Sequence, residues 1–508
     1  MKKICSLLLM LAMLLACFFG CSKIEETDND LWVVTEKTWW DGMNGLTQTL
    51  IDQFQEIHED INIKLDILPL DTEEREIYLE QLRASIMSGK GPDIYLLPTS
   101  GFLHATSVNL SEYLPIEKLF LDENLAMHNG HFADISEYYD ADEALNKEEL
   151  VAAVMDGGVI GDARYILPLR YDYPVIYAAT DRLESLETDL NVLKSGVVTD
   201  IMDLAIETNN GLLADGGVTA YFDGDASNYL VHLPQLVDYE EGKIVLSKDE
   251  ISDYLNKAQT NFAVSSSKYR TLKGCRNCFL DLDEIYLTEN WHVGSSSNVL
   301  SSGYLHNAIE MSAVSKAAGV DVTMIPVRNA DGELVASVTY YGAVGSSCEN
   351  PEMAYEFLRL FLLEESQWEL NRLRPDLKRA AQGTKMMAMY PGYIEKGFPV
   401  RSLCEPENLS QAYFSLLKLK ESPYLSIYQH YFDTVEGARP RYKGVLRAEL
   451  TEDDLSILDV PIDRVVFDQT FGLDLSGMFY DLVFMQTVTP DEMAGKIVKA
   501  IEMYLAEG

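Results

Sequence analysis

The feature that most narrows the possible folds is a regular switch of hydrophobic period between residues 31 and 97. Residues 31–35 (LWVVT) form a short apolar run of β-branched and aromatic residues, as a strand requires. From Asn44 onward, Leu46, Leu50, Phe54 and Ile57 recur at helical spacing. Ile61, Ile63, Leu65 and Ile67 then alternate with polar residues, the period of a strand. Asp71 and Glu74 have the spacing of a capping box, opening a helix that carries Ile77, Leu82 and Ile86 and closes at Gly89. Gly91 and Pro92 turn the chain into a further strand, residues 93–97. Short connections and right-handed crossovers make such a strand-helix-strand-helix-strand run a parallel, doubly wound sheet, and the fold class is α/β. Ligands of such sheets lie beyond the carboxyl ends of the strands, where loops and helix N-termini converge. The loops after Thr35 and after Leu97 are therefore the expected ligand-facing positions.

Further along, the pattern is coarser. Residues 166–169 (ILPL) and 175–179 (VIYAA) predict two strands around a turn. Residues 323–326 and 336–340 predict two more, flanking a hairpin-like Asn329-Ala330-Asp331-Gly332 turn. Asn350 and Pro351 open a helix as cap and first residue, with Ala354, Phe357, Leu358 and Phe361 as its buried stripe. A last helix opens at Thr489 and Glu492, another capping box, and carries Ile497, Ile501 and Leu505. No internal repeat is visible.

The N-terminus has the layout of a secretory signal: Met1-Lys2-Lys3, an apolar run over residues 4–19, then the small Gly20 before Cys21. A small residue just before a cysteine resembles a bacterial lipobox. Cleavage there would leave Cys21 as a diacylated first residue, with residues 1–20 removed and 21–30 as a polar tether. Cys17, after Leu15 and Ala16, is a second candidate for the lipidated position. The run is short for a membrane span and no stop-transfer pattern follows. The expected location is the extracytoplasmic face of the cell membrane, through a lipid anchor. Roughly 490 residues remain, enough for two or three domains with full cores.

With 81 acidic against 40 basic residues, the formal charge is -41, which repels nucleic acid and anionic membrane surfaces. No Lys/Arg cluster offers a pocket for a strongly anionic ligand. Catalytic and metal signatures are missing. His58-Glu59 lacks the second histidine of a zincin, since position 62 is Asn62. No G-x-S-x-G occurs, and Ser265 with Lys268 lacks the companion motifs of an S-x-x-K enzyme. The carboxylate pairs Asp140/Asp142, Asp223/Asp225 and Asp281/Asp283 head no EF-hand loop. Cys275 and Cys278 stand without a second pair, as a local disulfide or two thiols. No cofactor, metal or catalytic residue is expected. A secreted glycosidase with two carboxylates distant in sequence stays open as the rival reading, as does a surface receptor without transport.

Five stretches together resemble the family 1 extracellular solute-binding proteins, the group that contains maltose-binding protein. They are the strand, aromatic segment and helix after the lipobox; Ser88 to Ile94 (SGKGPDI) with residues 109–114 (NLSEYL); residues 165–169 (YILPL); the run from Met324 to Ser347 that leads into Asn350, Ala354 and Phe357; and residues 398–400 (FPV) with the ending near residues 489–493. Stretches 182–285 and 405–475 carry little of the likeness. The resemblance implies a two-lobe, periplasmic-binding-protein-like fold, each lobe a mostly parallel sheet flanked by helices. Residues 31–171 with 340–398 would form the first lobe, and 172–339 with 399–508 the second. It also implies a monomeric ABC-importer subunit that hands a small solute to permease subunits, with a sugar or oligosaccharide favoured by the breadth of the family and polyamines, metal chelates and peptides left open.

A sugar presents hydroxyls and flat C–H faces, which suit amides, carboxylates and aromatic plates. Trp39 and Trp40 in the expected loop, and Thr99 and Ser100 at the end of the third strand, are candidate contacts. The resemblance adds Tyr171 and Asp172 at the first crossing between lobes, Trp291, and Tyr340 and Tyr341 at the next. Trp32 and Trp368 read as core.

Overall fold

The computed structural model describes residues 30–69, 71–99, 117–179, 190–212, 229–239, 241–265, 300–305, 322–363, 366, 398–399, 460–467, 471 and 473–507. Cys21, Ser100, Trp291, Trp368, Cys275 and Cys278 lie outside these residues.

The alternation at the start of the chain is realised as β1 (Asp30–Glu36), α1 (Lys37–Ile57), β2 (Asn62–Leu68), α2 (Thr72–Met87) and β3 (Ile94–Pro98). β1 lies between β2 and β3 and pairs parallel with both. Val33 and Val34 are both fully buried, so helices or loops cover each face of the sheet. Asp71 caps α2 by accepting from the backbone N–H groups of Glu73 and Glu74, each at 3.1 Å. Beyond its last turn, Gly89 takes a left-handed conformation, φ 70°, that a side chain would resist.

Two local expectations are corrected. α1 begins directly at Lys37, so the backbone of Trp39, Trp40 and Gly42 is helical and not a loop. The two glycines of this helix, Gly42 and Gly45, cost about 1 kcal/mol each relative to alanine, which burial of Leu46, Leu50, Ile51 and Phe54 outweighs. On α2 the buried side chains are Arg75, Leu79 and Leu82, while Ile77 is 58% exposed. Ile57, at the end of α1, is exposed as well.

Arg75 is buried because it answers a second buried charge. Glu36 sits at the N-cap of α1, yet its carboxylate makes no cap hydrogen bond. It accepts instead from both terminal nitrogens of Arg75, Nη1 at 3.0 Å and Nη2 in a closer contact. Arg75 Nε donates to the Glu117 carbonyl at 2.8 Å and Nη1 also to that of Pro69 at 3.1 Å. Such a forked, fully bonded guanidinium is the arrangement that makes a buried ion pair tolerable.

The remaining elements named here are α3 (Glu123–His128), β4 (Ile166–Ala179), α4 (Val198–Leu212), α5 (Lys248–Ser265), β5 (Leu300–Leu305) and β6 (Val322–Pro326). They continue as β7 (Val335–Val344), α6 (Pro351–Arg359), β8 (Phe398–Pro399), β9 (Arg464–Val466) and α7 (Pro490–Glu507). The main sheet runs β6-β4-β7-β3-β1-β2. β4 is one strand, where two around a turn were expected. Pro168 is accommodated because β7 shifts register opposite it, between Tyr340 and Tyr341. The first half of β4 pairs with β7 and β8, the second half with β5 and β6. β6 and β7 are therefore not the two arms of a hairpin; each pairs antiparallel with a different half of β4. The turn between them is nonetheless built by its Asn and Gly. Asn329 Oδ1 accepts from the N–H groups of Asp331 and Glu333, and Gly332 has φ 84°.

The apolar side chains divide into two buried clusters. The first is built from β1, β2, β3, the first half of β4, β7, α1, α2 and α6. The second holds Ile176 of β4, Ile325 and Val327, and the inner faces of α4, α5 and α7. Among the described residues the chain passes between them three times: at Val175 and Ile176, between Val327 and Leu334, and between Phe467 and Phe471. Leu334, Ala336, Val338 and Phe467 thus pack in the first core, although the sequence placed their segments with the second lobe. The first two passages run antiparallel beside each other, since Val327 N–H donates to the Pro174 carbonyl at 2.8 Å. The second and third are tied by Arg328 to Asp463 at 2.7 Å and Arg464 to Glu333 at 3.1 Å.

Arg75→Met would leave the Glu36 carboxylate buried and unpaired and should lower stability by about 3–5 kcal/mol in urea unfolding. Ile77→Ser, two residues along the same helix, should stay within about 0.5 kcal/mol of the parent. Equal effects of the two would mean that α2 does not bury the face described.

Candidate functional site

Strand register places the carboxyl ends of the first sheet on one rim. Glu36 pairs with Leu68, and Thr35 with Leu96, which sets Glu36 beside Leu97. Pro98 pairs with Tyr340, Tyr340 with Arg170, and Arg170 with Pro399. β4 crosses this line and enters the second core within a few residues, at Ile176. The rim of the first lobe therefore faces the segments that join the lobes, where loops and helix starts of an α/β sheet converge.

Buried polar groups gather on this line. Besides the Glu36–Arg75 pair, Arg170, Asp172, Thr35 and Thr99 are all buried, Arg170 to 1% exposure. Along an extended strand alternate residues share a face, so Arg170 and Asp172 lie on one face of β4 and Tyr171 and Tyr173 on the other. The tyrosines belong to the first core. Thr35 Oγ1 donates to the Leu96 carbonyl at 2.9 Å and Thr99 Oγ1 to that of Val338, which locks β1 and β7 to the end of β3. Lys118 pairs with the buried Glu123 at 3.2 Å. Burial pushes the Tyr341 hydroxyl well above its ordinary pKa, and the nearby carboxylates of Glu123 and Glu36 add to the shift.

Several sequence-selected residues meet at the rim. Tyr340 is half-buried on it and packs at the edge of the first core. Tyr171 and Asp172 are buried two strand positions from it or less. Tyr341 is 1% exposed, with its ring edge-on to Phe132 and Phe467, so it is a core residue and not a contact for a solute. Thr99 is committed to the sheet as well: its hydroxyl donates to the Val338 carbonyl and its backbone N–H to the Thr339 carbonyl at 3.1 Å. Trp39 and Trp40 start α1 directly after Glu36, hence next to the rim in the backbone. Trp32, expected in the core, is half-buried in β1 with the Lys64 ammonium 5.2 Å from its ring.

Sequence reasoning missed Glu36, Arg75 and Arg170. A charge at the carboxyl end of a strand was visible for Glu36, and a basic residue inside an apolar run for Arg170. Arg75 carried no signal, because its partner lies 39 residues away. Among the described residues no group of three or more His, Cys, Asp or Glu side chains could hold a metal ion. Asp142, from the pair with Asp140, accepts from Tyr355 at 3.0 Å and Arg359 at 3.2 Å and so braces α6. Also among the described residues, no helix is long and apolar enough to cross a membrane.

No family model matches the sequence, and no curated protein matches it. Solved structures do share its fold. A periplasmic oligogalacturonide binding protein from Yersinia enterocolitica is 13% identical with a TM-score of 0.53, over 94% of this chain and 99% of that one. A de novo designed cysteine esterase is 12% identical with a TM-score of 0.54, over 95% and 99%. A family 1 extracellular solute-binding protein from Alicyclobacillus acidocaldarius is 12% identical with a TM-score of 0.48, over 94% and 100%. At such identities the likeness is one of fold, and the designed esterase shows that this fold can also carry catalysis. The chain has the two-lobe α/β fold of the periplasmic binding proteins, in line with the resemblance read from its sequence.

Proposed function

We propose that this chain is the solute-capturing subunit of an ABC importer, an exported lipoprotein that closes on a carbohydrate between its lobes and delivers it to permease subunits. The observation that carries this reading is the pair of antiparallel passages, β4 beside the run from β6 to β7, set at a rim rich in buried polar groups. Two bodies joined by a narrow strand pair can rotate about it, and a solute touched by both favours the closed form. That the Yersinia enterocolitica protein of like fold binds an oligogalacturonide supports a sugar as the solute.

Tyr340 is the rim aromatic we assign to the sugar face, with Trp39 and Trp40 at the start of α1 and Trp291 as further plates. Asp172 and Ser100 would take hydroxyls, while Tyr171, expected to do so from the sequence, packs in the first core on the opposite face of β4. Micromolar capture needs about -8 kcal/mol, within reach of two or three aromatic contacts and several hydrogen bonds. Among the described residues, 30–175 with 334–363, 398–399 and 460–467 would form one lobe, and 176–327 with 471–507 the other. A lipid on Cys21 would hold the monomeric protein at the outer face of the cell membrane.

Calorimetry and thermal shift with neutral oligosaccharides, uronic-acid oligosaccharides and polyamines test the solute class. One sugar class should bind at one site and raise the melting temperature, with about 2.7 kcal/mol of added stability at a hundredfold excess over Kd. No new reducing ends should form. Tyr340→Ala should weaken that binding about tenfold, near 1.4 kcal/mol, in a variant whose circular dichroism spectrum matches the parent at the assay temperature. A polyamine that shifts the melt when no sugar does defeats the carbohydrate assignment, and release of reducing ends replaces capture by glycoside hydrolysis.

In cells fed radiolabelled palmitate, Cys21→Ala should lose the label and release the protein to the medium. Retained label in Cys21→Ala, lost instead in Cys17→Ala, would move the anchor to Cys17.

A further inference from the structure

The two cores touch at a place that is neither hinge nor strand. Residues 117–128 belong to the first lobe: Leu119, Phe120, Ala126 and Met127 lie in its core. Arg75 and Arg83 of α2 hold the segment by its backbone, through the carbonyls of Glu117 at 2.8 Å and Leu119 at 3.2 Å. One residue of the same short helix faces the other way, since Leu125 packs against the second core. Beside it stands Tyr239, which follows Leu236 and Val237 of the second core and packs on that core itself. The Tyr239 hydroxyl donates to Asp122 Oδ2 at 2.8 Å, across 117 residues of sequence.

Asp122 is built to receive it. Its carboxylate is 3% exposed, and its other oxygen accepts the Leu125 N–H at 3.1 Å, which fixes the side chain as the cap of α3. The Asn124 side chain also bonds the Tyr239 hydroxyl. Burial raises the pKa of Asp122, while Tyr239, the Leu125 N–H and Lys118 pull it back toward the charged form. A hydrogen bond to a buried carboxylate is worth more than a neutral one, and its loss strands the acceptor.

We propose that the Tyr239–Asp122 hydrogen bond is a latch between the lobes, which holds them docked on the side of α3 and sets how often the ligand-free protein opens. Separating the lobes requires the hydroxyl to leave Asp122 and Leu125 to leave the second core. The hinge strands allow rotation; this contact, outside them, meters it. The latch rests on the two-lobe fold and on no particular solute, so it stands or falls apart from the carbohydrate reading.

The test is single-molecule energy transfer in the ligand-free, full-length mature protein. Dyes are coupled to p-acetylphenylalanine at Glu80 of α2 and Lys499 of α7, both exposed. Tyr239→Phe removes only the hydroxyl and should raise the ratio of separated to docked molecules about tenfold, with the circular dichroism spectrum unchanged. Tyr239→Ala, which also strips the ring from the second core, should shift the distribution the same way. Distributions identical to the parent in both folded variants would overturn the latch.

Discussion

The structure depends on a single strand that serves two cores. β4 is 14 residues long, about 45 Å when extended. Its partners change midway, from β7 and β8 to β5 and β6. Every backbone group in such a strand must be paired or solvated, so the change of partners is the weakest point along it. Pro174 stands at that point and offers no N–H, while its carbonyl accepts from Val327 of the neighbouring passage. The register shifts of β7 lie a few residues earlier, opposite Pro168 to Tyr171, so the irregular stretch of β4 precedes the change of partners and the paired halves on either side stay whole.

Charge burial follows from the same geometry. Strand ends leave polar groups and side chains that the layers above cannot avoid covering, and a buried charge is tolerated only when it is paired and fully bonded. Glu36 with Arg75, and Lys118 with Glu123, satisfy that condition around the rim. Arg75 does more than neutralise. By holding the carbonyls of Pro69 and Glu117 it fixes the loop after β2 and the segment that leads to Asp122. The rim chemistry and the contact between lobes at Tyr239 are thus linked through one guanidinium.

Local signals in the sequence held wherever the deciding interaction was local. The cap at Asp71, the Asn350 cap of α6 and the reciprocal Thr489–Glu492 box all form, and the stripes Phe357, Leu358, Phe361 and Ile497, Ile501 are fully buried. The signals misled where a distant partner decided. Leu79 is buried in place of Ile77 because Arg75 must turn inward to Glu36, and that rotates the helix face. Tyr340 and Tyr341 are both tyrosines of one strand, yet the pleat points them to opposite faces, one at the rim and the other among Phe132 and Phe467, and only the packed sheet shows which is which.

By itself the sequence determined the α/β alternation, the helix caps and the two-lobe resemblance, because hydrophobic period and capping act over a few residues. Only the tertiary structure decided that residues 166–179 form one strand shared by two cores, and which charges would be buried at its midpoint. Strand pairing and ion pairing join residues scores of positions apart, and no local pattern records which of many possible partners will meet.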